Sequence, residues 1–151
     1  MHEWRITPVE AVRLQRELSK RISTEGRPAR IERVAGVDVS TGGPDGQGHC
    51  CIVVLGFPDL HPVEESFYSG EVAFPYIPGL LSFREGPLFL GAFAGLEARP
   101  DVLIFDGQGI AHPRRLGLAS HMGLWLGMPS IGCAKSRLYG SYEEPSATRG
   151  S

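Results

Sequence analysis

The stretch that decides the fold is "IERVAGVDVS", residues 31–40. Within it Ala35, Val37 and Val39 lie on one side and small or polar residues lie between them, which is the two-residue period of a β-strand. Asp38 stands among the polar positions of this valine-rich strand. A charge in the middle of such a strand is costly unless it is paired or bound to a metal.

Turn residues then reverse the chain. "TGGPDGQG" (residues 41–48) separates the first strand from "CCIVVLGF" (residues 50–57), which is the predicted second strand. A third strand is expected within residues 63–72. Ahead of the strands, "TPVE" (residues 7–10) combines a capping box with proline at the first helical position, and it predicts an amphipathic helix over residues 8–22.

The second half of the chain alternates between helix and strand patterns. Residues 87–96 and 113–126 have helical periodicity, whereas "DVLIF" (residues 101–105) and "SIGCA" (residues 130–134) are short apolar runs typical of buried strands. Strands followed by alternating helices and strands predict an α/β fold, with a mixed sheet covered by helices.

Composition limits the classes of function. The chain has 151 residues, 42% of them hydrophobic, which suits a single domain with its own core. The net charge is −2, so a polyanion site has to be a local patch. The basic residues available for such a patch are Arg114, Arg115, Lys135 and Arg137.

The cysteines and the N terminus indicate a compartment. Cys50, Cys51 and Cys133 are odd in number and lack ligand spacing, which favours a reducing compartment without structural zinc. We assign Cys133 and Trp125 to the core. The charged N terminus does not resemble a secretory signal, and no apolar run approaches the roughly 20 residues that cross a bilayer. We expect a soluble protein of the cytoplasm.

Two aspartates suggest a metal site. Asp38 lies in the first strand and Asp106 closes the strand "DVLIF" at its carboxyl end. If these strands are neighbours, the two carboxylates converge, and Mg²⁺ prefers one or two carboxylates together with water and substrate phosphate. The alternatives are an Asp106 that caps a turn and an Asp38 that is simply exposed.

Glu85 is a third acidic candidate. Ser82 to Glu85 forms a capping-box pattern, but that box places Pro87 beyond the first turn, where proline removes a backbone hydrogen bond. We therefore expect the helix to begin at residues 86–87, which leaves Glu85 just ahead of it and free to point into a site.

"DGQGIAHPRRLGLASH" (residues 106–121) surrounds a predicted helix start with glycines and basic residues. Backbone amides at such a start bind anions, and Arg114 and Arg115 strengthen the field. His112 is either a proton donor, a phosphate contact or a capping residue; Lys135, after the last strand, is either a phosphate contact or a solvated lysine. Acids, histidine and lysine at one edge suit metal-assisted phosphodiester hydrolysis.

Four motifs identify a family resemblance. "VAGVDVS", "GEVAFPYIPGLLSFREGP", "DGQGIAHPRRLGLASHMG" and "PSIGCAKSRLYG" resemble, in this order, the endonuclease V family of deoxyinosine 3′-endonucleases. The resemblance covers residues 7–151 and implies a ribonuclease H-like fold. It also implies a Mg²⁺-dependent cut, with Mn²⁺ able to substitute, at the second phosphodiester 3′ to hypoxanthine in damaged DNA. Some members act on inosine in RNA, which stays open as the alternative partner.

The resemblance assigns roles to residues. Asp38, Asp106 and Glu85 become the metal carboxylates, while His112 and Lys135 orient the scissile phosphate. A wedge that enters the duplex falls on Pro75, Tyr76, Ile77 and Pro78. The backbone of Gly79, Leu81 and Gly117 lines the pocket for the extruded base, and Arg114 and Arg115 contact phosphates. The alternative for the wedge is a rigid loop that packs Tyr76 into the core.

The sequence also departs from the family pattern. Family members continue with a further strand and helix, so we expect residues 1–151 to be one domain that lacks this C-terminal segment. A lesion-binding but catalytically impaired protein is therefore an alternative to a working nuclease. We expect a monomer, and the number of catalytic metals stays open.

Overall fold

The computed structural model describes residues 2–43 and 46–150. Its elements are α1 (Pro8–Leu18), a short 3₁₀ helix (Ser19–Arg21), β1 (Arg33–Thr41), β2 (Gln47–Gly56), β3 (Pro62–Glu71), α2 (Leu81–Ala94), β4 (Val102–Phe105), α3 (Leu118–Leu126) and β5 (Ser130–Gly132). The turn predicted between the first two strands includes residues 44 and 45, which lie outside the described residues.

The strands form one mixed sheet in the order β3-β2-β1-β4-β5. β1 pairs antiparallel with β2, and β2 with β3, while β4 lies parallel to both β1 and β5. The predicted antiparallel meander followed by helix–strand alternation is confirmed. In the β1–β4 register Val37 stands opposite Phe105, and the Asp106 N–H donates to the Val37 carbonyl at 3.1 Å. Asp38 and Asp106 therefore emerge at the same edge of the sheet.

The N-terminal helix follows the sequence signal closely. Thr7 Oγ1 accepts a hydrogen bond from the Glu10 N–H at 3.3 Å, and the Thr7 N–H donates to the Glu10 carboxylate at 2.8 Å, which is the predicted capping box. The α-helix ends at Leu18 and continues as the 3₁₀ turn of residues 19–21, so the predicted end at residue 22 lies just beyond the helical segment.

The second helix begins earlier than predicted. α2 starts at Leu81 and contains Pro87, so Glu85 lies inside the helix rather than ahead of it. Proline costs the helix one backbone hydrogen bond. Burial of Phe83 and Phe89, which are 1% and 0% exposed, outweighs that loss because each large apolar side chain contributes about 1.5–3 kcal/mol.

The third helix begins later than predicted. α3 starts at Leu118, not at Pro113, and Arg115 has a left-handed backbone with φ 55°. A non-glycine residue in that conformation interrupts any right-handed helix. The predicted end is confirmed, since Gly127 caps the helix with φ 64°.

Two apolar clusters hold these elements together. The larger joins the sheet face of Ala35 and Val37 to α2 and α3. The smaller joins α1 to the segment before α2 through Ala11, Phe74 and Leu80. Along the described ranges 2–43 and 46–150, no helix has the length and apolar character needed to span a membrane.

Two core assignments need correction or refinement. Cys133 is exposed rather than buried, because it follows the last residue of β5, which lies at the edge of the sheet. Trp125 is half-buried, and its ring packs against the rings of Trp4 and His2 at centroid distances of 4.8 Å. Contacts with the N-terminal segment therefore partly cover the tryptophan.

Candidate active site

Three acidic side chains lie at the carboxyl edge of the sheet. Asp38 is on the solvent side of β1, and Asp106 directly follows β4 with 36% of its side chain exposed. Glu85 comes from α2 and is only 8% exposed. Asp38 is therefore exposed, as in the alternative to a metal site, while Glu85 is the acid that the fold buries.

The pKa of Glu85 depends on its burial and on the charges of the two aspartates. Burial, helped by the negative charges of Asp38 and Asp106 and opposed by the Arg84 guanidinium, raises the pKa of Glu85 to about 7. No hydrogen bond from the described residues reaches the Glu85 carboxylate. The protein thus buries a carboxyl group next to like charges with only partial compensation from Arg84, which is typical of functional positions.

Lys135 pairs with one of these acids. Its Nζ lies 2.9 Å from Asp106 Oδ2, and the lysine side chain is 87% exposed. The hydrogen bond and the charge of Asp106 raise the pKa of Lys135, and Asp38 adds to the effect. The lysine thus stands over the acidic edge, as the sequence predicts, and its flexible stem leaves it free to change partners.

The fit of a metal ion can be judged from these donors. Carboxylate oxygens are the ligands that Mg²⁺ prefers. A positive charge at this edge would stabilise the ionised form of the buried Glu85. In the part of the chain that the structure describes, however, no group of three or more His, Cys, Asp or Glu side chains forms a ready-made metal site. The chemistry fits a hard divalent cation, and the three carboxylates do not enclose one in advance.

The loop before α2 holds a tyrosine in solvent. Tyr76 is 71% exposed, whereas Phe74 and Leu80 on either side of it are 6% and 2% exposed and anchor the loop. Arg84 donates to the Phe74 carbonyl at 2.7 Å and fixes the base of the loop. The alternative in which Tyr76 packs into the core is wrong.

A cavity of about 160 Å³ opens beside this loop. The three predicted pocket residues, Gly79, Leu81 and Gly117, all line it. Its other lining residues are Gln15, Tyr76, Pro78, Ser82, Gln108, His112, Leu116, Leu118 and Leu138. Ligand pockets for drug-sized molecules are about 300–1,000 Å³, so this one suits a single small ring system.

Two glycines are required by the shape of the pocket. Gly79 has φ +79°, and a Cβ there would lie 2.8 Å from the Arg114 guanidinium. At Gly117 a Cβ would overlap the backbone of Gln108 and Gly109. Both positions thus depend on glycine for close approach, the first also for its left-handed conformation.

His112 is buried in the wall of the pocket. It is 3% exposed, its Nδ1 accepts from the Arg114 N–H at 3.1 Å, and its Nε2–H donates to the Gly79 carbonyl at 3.0 Å. Burial and the charge of Arg114 hold the pKa of His112 below its ordinary value. The ring is therefore a neutral Nε2–H tautomer with both nitrogens engaged.

The two arginines behave differently. Arg114 turns inward, where its guanidinium donates to Gln15 Oε1 and to the Gly79 carbonyl. Arg115 is exposed. Of the two predicted phosphate contacts, Arg115 is thus the more exposed, while the half-buried Arg114 frames the pocket.

Sequence reasoning missed Gln15, a buried polar residue that lines the cavity. The signal was available, because Gln15 lies four residues after Ala11, on the apolar face of α1. A polar side chain in the middle of an apolar stripe needs polar partners inside the protein. For Gln15 these are the Gly79 and Leu116 carbonyls and the Arg114 guanidinium.

Comparison with known proteins places these features in a family. The family model described as Endonuclease V matches residues 16–151. The chain belongs to the endonuclease V family. An endonuclease V of Dehalococcoides mccartyi is 56% identical over 142 residues, which is 94% of this chain and 64% of that relative.

Solved structures of the family share the fold. The crystal structure of endonuclease V from Streptomyces avermitilis superposes with a TM-score of 0.88 at 45% identity, covering 97% of this chain and 65% of that one. The fold is therefore ribonuclease H-like, as expected. Endonuclease V of Ciona intestinalis, solved with a 23mer DNA containing an inosine followed by a ribo-adenosine, superposes with a TM-score of 0.78 at 31% identity over 87% of this chain and 59% of that one.

Proposed function

We propose that this chain is a Mg²⁺-dependent endonuclease that recognises hypoxanthine in DNA and hydrolyses the second phosphodiester bond 3′ to it. The observation that carries the proposal is the neighbourhood of pocket and acids. Ser82 lines the pocket less than one helical turn before Glu85, and Gln108 lines it just after Asp106. One rigid unit thus joins a base-sized cavity to an acidic edge.

Base recognition rests on main-chain groups of the pocket. No side chain caps the start of α2, so the amides of Leu81 and Ser82 have no intrahelical partner and can donate to an oxygen of the base. Hypoxanthine carries an oxygen where adenine carries an amino group, and such donors favour it. The inosine-containing DNA in the Ciona structure supports this choice of substrate.

The loop of Pro75, Tyr76, Ile77 and Pro78 is proposed as the wedge. An exposed ring can stack in place of a base that leaves the duplex, which offsets part of the few kcal/mol that flipping costs. The prolines on both sides restrict the loop, so little conformational entropy is lost when it inserts. The buried Phe74 and Leu80 hold it to the domain.

Asp38, Asp106 and Glu85 would hold the cation. Mg²⁺, when bound, would supply charge stabilisation at the phosphate and favour ionisation of a water. Glu85, the buried member of the three, would help to place the cation and that water, and the proton of the water would pass to solvent. The water oxygen bonds to phosphorus as the bond to the 3′ oxygen breaks, and the departing 3′ oxygen takes up a proton from solvent. The products carry a 3′-hydroxyl and a 5′-phosphate.

Lys135 and Arg115 are the proposed contacts to the phosphates, because both are exposed near the site. For His112 and Arg114 we infer a role through the Gly79 carbonyl, since their side chains already donate to it. We further propose that the protein acts as a monomer in the cytoplasm, where its three free cysteines would stay reduced.

The experiment uses a labelled duplex with one deoxyinosine. In Mg²⁺ the chain should nick the inosine strand at the second phosphodiester 3′ to the lesion, and EDTA should abolish the nick. A duplex with deoxyguanosine at the same position should stay intact. Absence of any nick at a large excess of protein would defeat the proposal for this chain.

A second candidate is a lesion-binding protein that does not cut. It is favoured by the contrast between a complete pocket and carboxylates that, among the described residues, do not enclose a metal site. A gel shift on the deoxyinosine duplex without cleavage, lost in Tyr76→Ala, would support it. An inosine-containing RNA in the same assays would decide between the two nucleic acids.

A further inference from the structure

One buried amide connects the two walls of the pocket. Gln15 on α1 is 1% exposed, and its Nε2 donates to the Gly79 carbonyl at 3.0 Å and to the Leu116 carbonyl at 3.1 Å. Its Oε1 accepts from Arg114 Nε. The amide therefore uses both of its N–H groups and its oxygen inside the protein.

The two carbonyls belong to different segments. Gly79 ends the exposed loop before α2, while Leu116 lies in the turn before α3, and both residues line the cavity. No other donor in the described ranges reaches the Leu116 carbonyl. Gln15 thus joins the two walls from a third element, beside the direct bonds that His112 and Arg114 of the Leu116 segment make to the Gly79 carbonyl.

The Gly79 end of this bridge is especially well fixed. Its carbonyl receives Gln15 Nε2, His112 Nε2 at 3.0 Å and the Arg114 guanidinium at 2.8 Å. Three donors on one oxygen fix the direction of the whole peptide group. The donors themselves are linked, because Arg114 contacts Gln15 and its N–H donates to His112.

We propose that Gln15 is a positioning residue that sets the width of the base pocket and thereby separates hypoxanthine from guanine. The inference rests on the proposed function. Guanine differs from hypoxanthine by one exocyclic amino group, and a pocket of fixed width excludes that group. Without Gln15 the Leu116 carbonyl loses its donor and Arg114 loses one acceptor, so only His112 and a less firmly held Arg114 still join the walls. The pocket can then widen, guanine is admitted and the discrimination falls.

The test measures equilibrium binding in EDTA, which prevents cutting, to matched duplexes containing deoxyinosine or deoxyguanosine. The readout is the ratio of the two dissociation constants. Gln15→Met keeps the length of the side chain and removes all three hydrogen bonds. Gln15→Glu keeps an oxygen for Arg114 and removes both donated bonds. Val54→Ala, in the core of β2 and away from the pocket, is the control for lost stability.

The wild type should prefer deoxyinosine, and both Gln15 variants should lose at least tenfold in the ratio while Val54→Ala keeps it. A merely structural role would weaken both complexes alike and leave the ratio unchanged. If the Met variant shows no cooperative melt, the Glu variant alone decides.

Failure of the proposed function and failure of the Gln15 inference give different results. A wild-type ratio near one defeats the proposed function. A wild type that discriminates, with a folded Gln15 variant that discriminates equally well, overturns the inference alone.

Discussion

Two polar regions of this molecule are built in opposite ways. On the pocket side Gln15, His112 and Arg114 are engaged in hydrogen bonds inside the protein. At the acidic edge Asp38 is exposed, and the buried Glu85 accepts no hydrogen bond from the described residues.

This difference shows which of the two regions is stable without a ligand. Satisfied buried networks rigidify their surroundings, so the pocket keeps its shape without a ligand. Carboxylates close to one another, with a raised pKa at Glu85 of about 7, are stabilised only when positive charge joins them. On the proposed function, recognition would be prearranged in this chain, whereas cleavage would depend on a cation from outside.

The largest expected effect is a loss of cleavage without a loss of binding. Asp38→Asn removes a charge from the acidic edge and leaves the pocket untouched. Loss of a metal carboxylate costs several kcal/mol of transition-state stabilisation, so cleavage should fall by about 10³-fold or more. Nicking assays in Mg²⁺ measure the rate, and binding assays in EDTA measure the affinity for the deoxyinosine duplex.

The affinity is expected to stay within about twofold of wild type, because Asp38 is exposed and lines no part of the pocket. Cleavage that persists in Asp38→Asn would remove this aspartate from the catalytic group. Equal loss of binding and cleavage would contradict the division into two regions.

The next effect tests the rigidity of the pocket. Gly117→Ala places a methyl group on the backbone of Gln108 and Gly109, which cannot move without opening the wall. Overpacking of this kind costs about 1–3 kcal/mol. Denaturant melts should report that loss, and the deoxyinosine complex should weaken with it.

The matched control is Gly36→Ala on the solvent face of β1, where an added Cβ meets nothing within 4 Å. It should change stability by less than about 0.5 kcal/mol. If Gly117→Ala behaves like Gly36→Ala, the pocket wall is softer than the contacts indicate.

The contrast between the regions also explains what the sequence revealed. Local signals act over a few residues, and they predicted the capping box of Thr7 and Glu10 and the alternation around Val37 correctly. Asp38, Asp106 and Lys135 were singled out because each follows or interrupts an apolar strand, where a charge is conspicuous, and Glu85 because of the capping-box pattern ahead of Pro87.

The network on the pocket side was missed because its contacts are long-range. The position of Gln15 on the apolar face of α1 indicates burial, but its partners Gly79 and Leu116 are distant in sequence and no local pattern identifies them. The start of α2 was also predicted wrongly, because Pro87 reads as a boundary until the burial of Phe83 and Phe89 is known. The hydrogen bonds of Gln15 and the burial of Phe83 and Phe89 both depend on contacts between distant segments, which a local pattern does not contain.

Acid should lower the stability of the fold through His121, a buried histidine beside the pocket wall. His121 is 1% exposed, and its ring lies between Ser82 Oγ of the pocket wall at 2.9 Å and His2 Nε2 at 2.8 Å. Burial, together with the neighbouring His2, lowers the pKa of His121 to about 3 from 6.5. Below pH 6.5 the unfolded chain takes up a proton that the folded chain refuses, so stability falls as the pH falls.

The expected loss from His121 between pH 6.5 and pH 5 is about 2 kcal/mol. Thermal melts of the wild type and of His121→Gln across this range measure it, because the glutamine cannot take up the proton. The wild type should lose more stability than the variant. Parallel pH profiles would mean that His121 is protonated in the folded protein as well.

The smallest effect concerns the cation at the acidic edge. A ligand that binds only the folded state at ten times its dissociation constant stabilises that state by about 1.4 kcal/mol, or about 3–5 °C in Tm for a chain of this size. Mg²⁺ should therefore raise the Tm of the wild type relative to EDTA. Glu85→Gln should lose the rise, since it removes the buried carboxylate, and Glu97→Gln, on the surface after α2, should keep it. If all three proteins respond alike, the ion acts through general screening, and the acidic edge is as complete without a cation as the pocket is without a base.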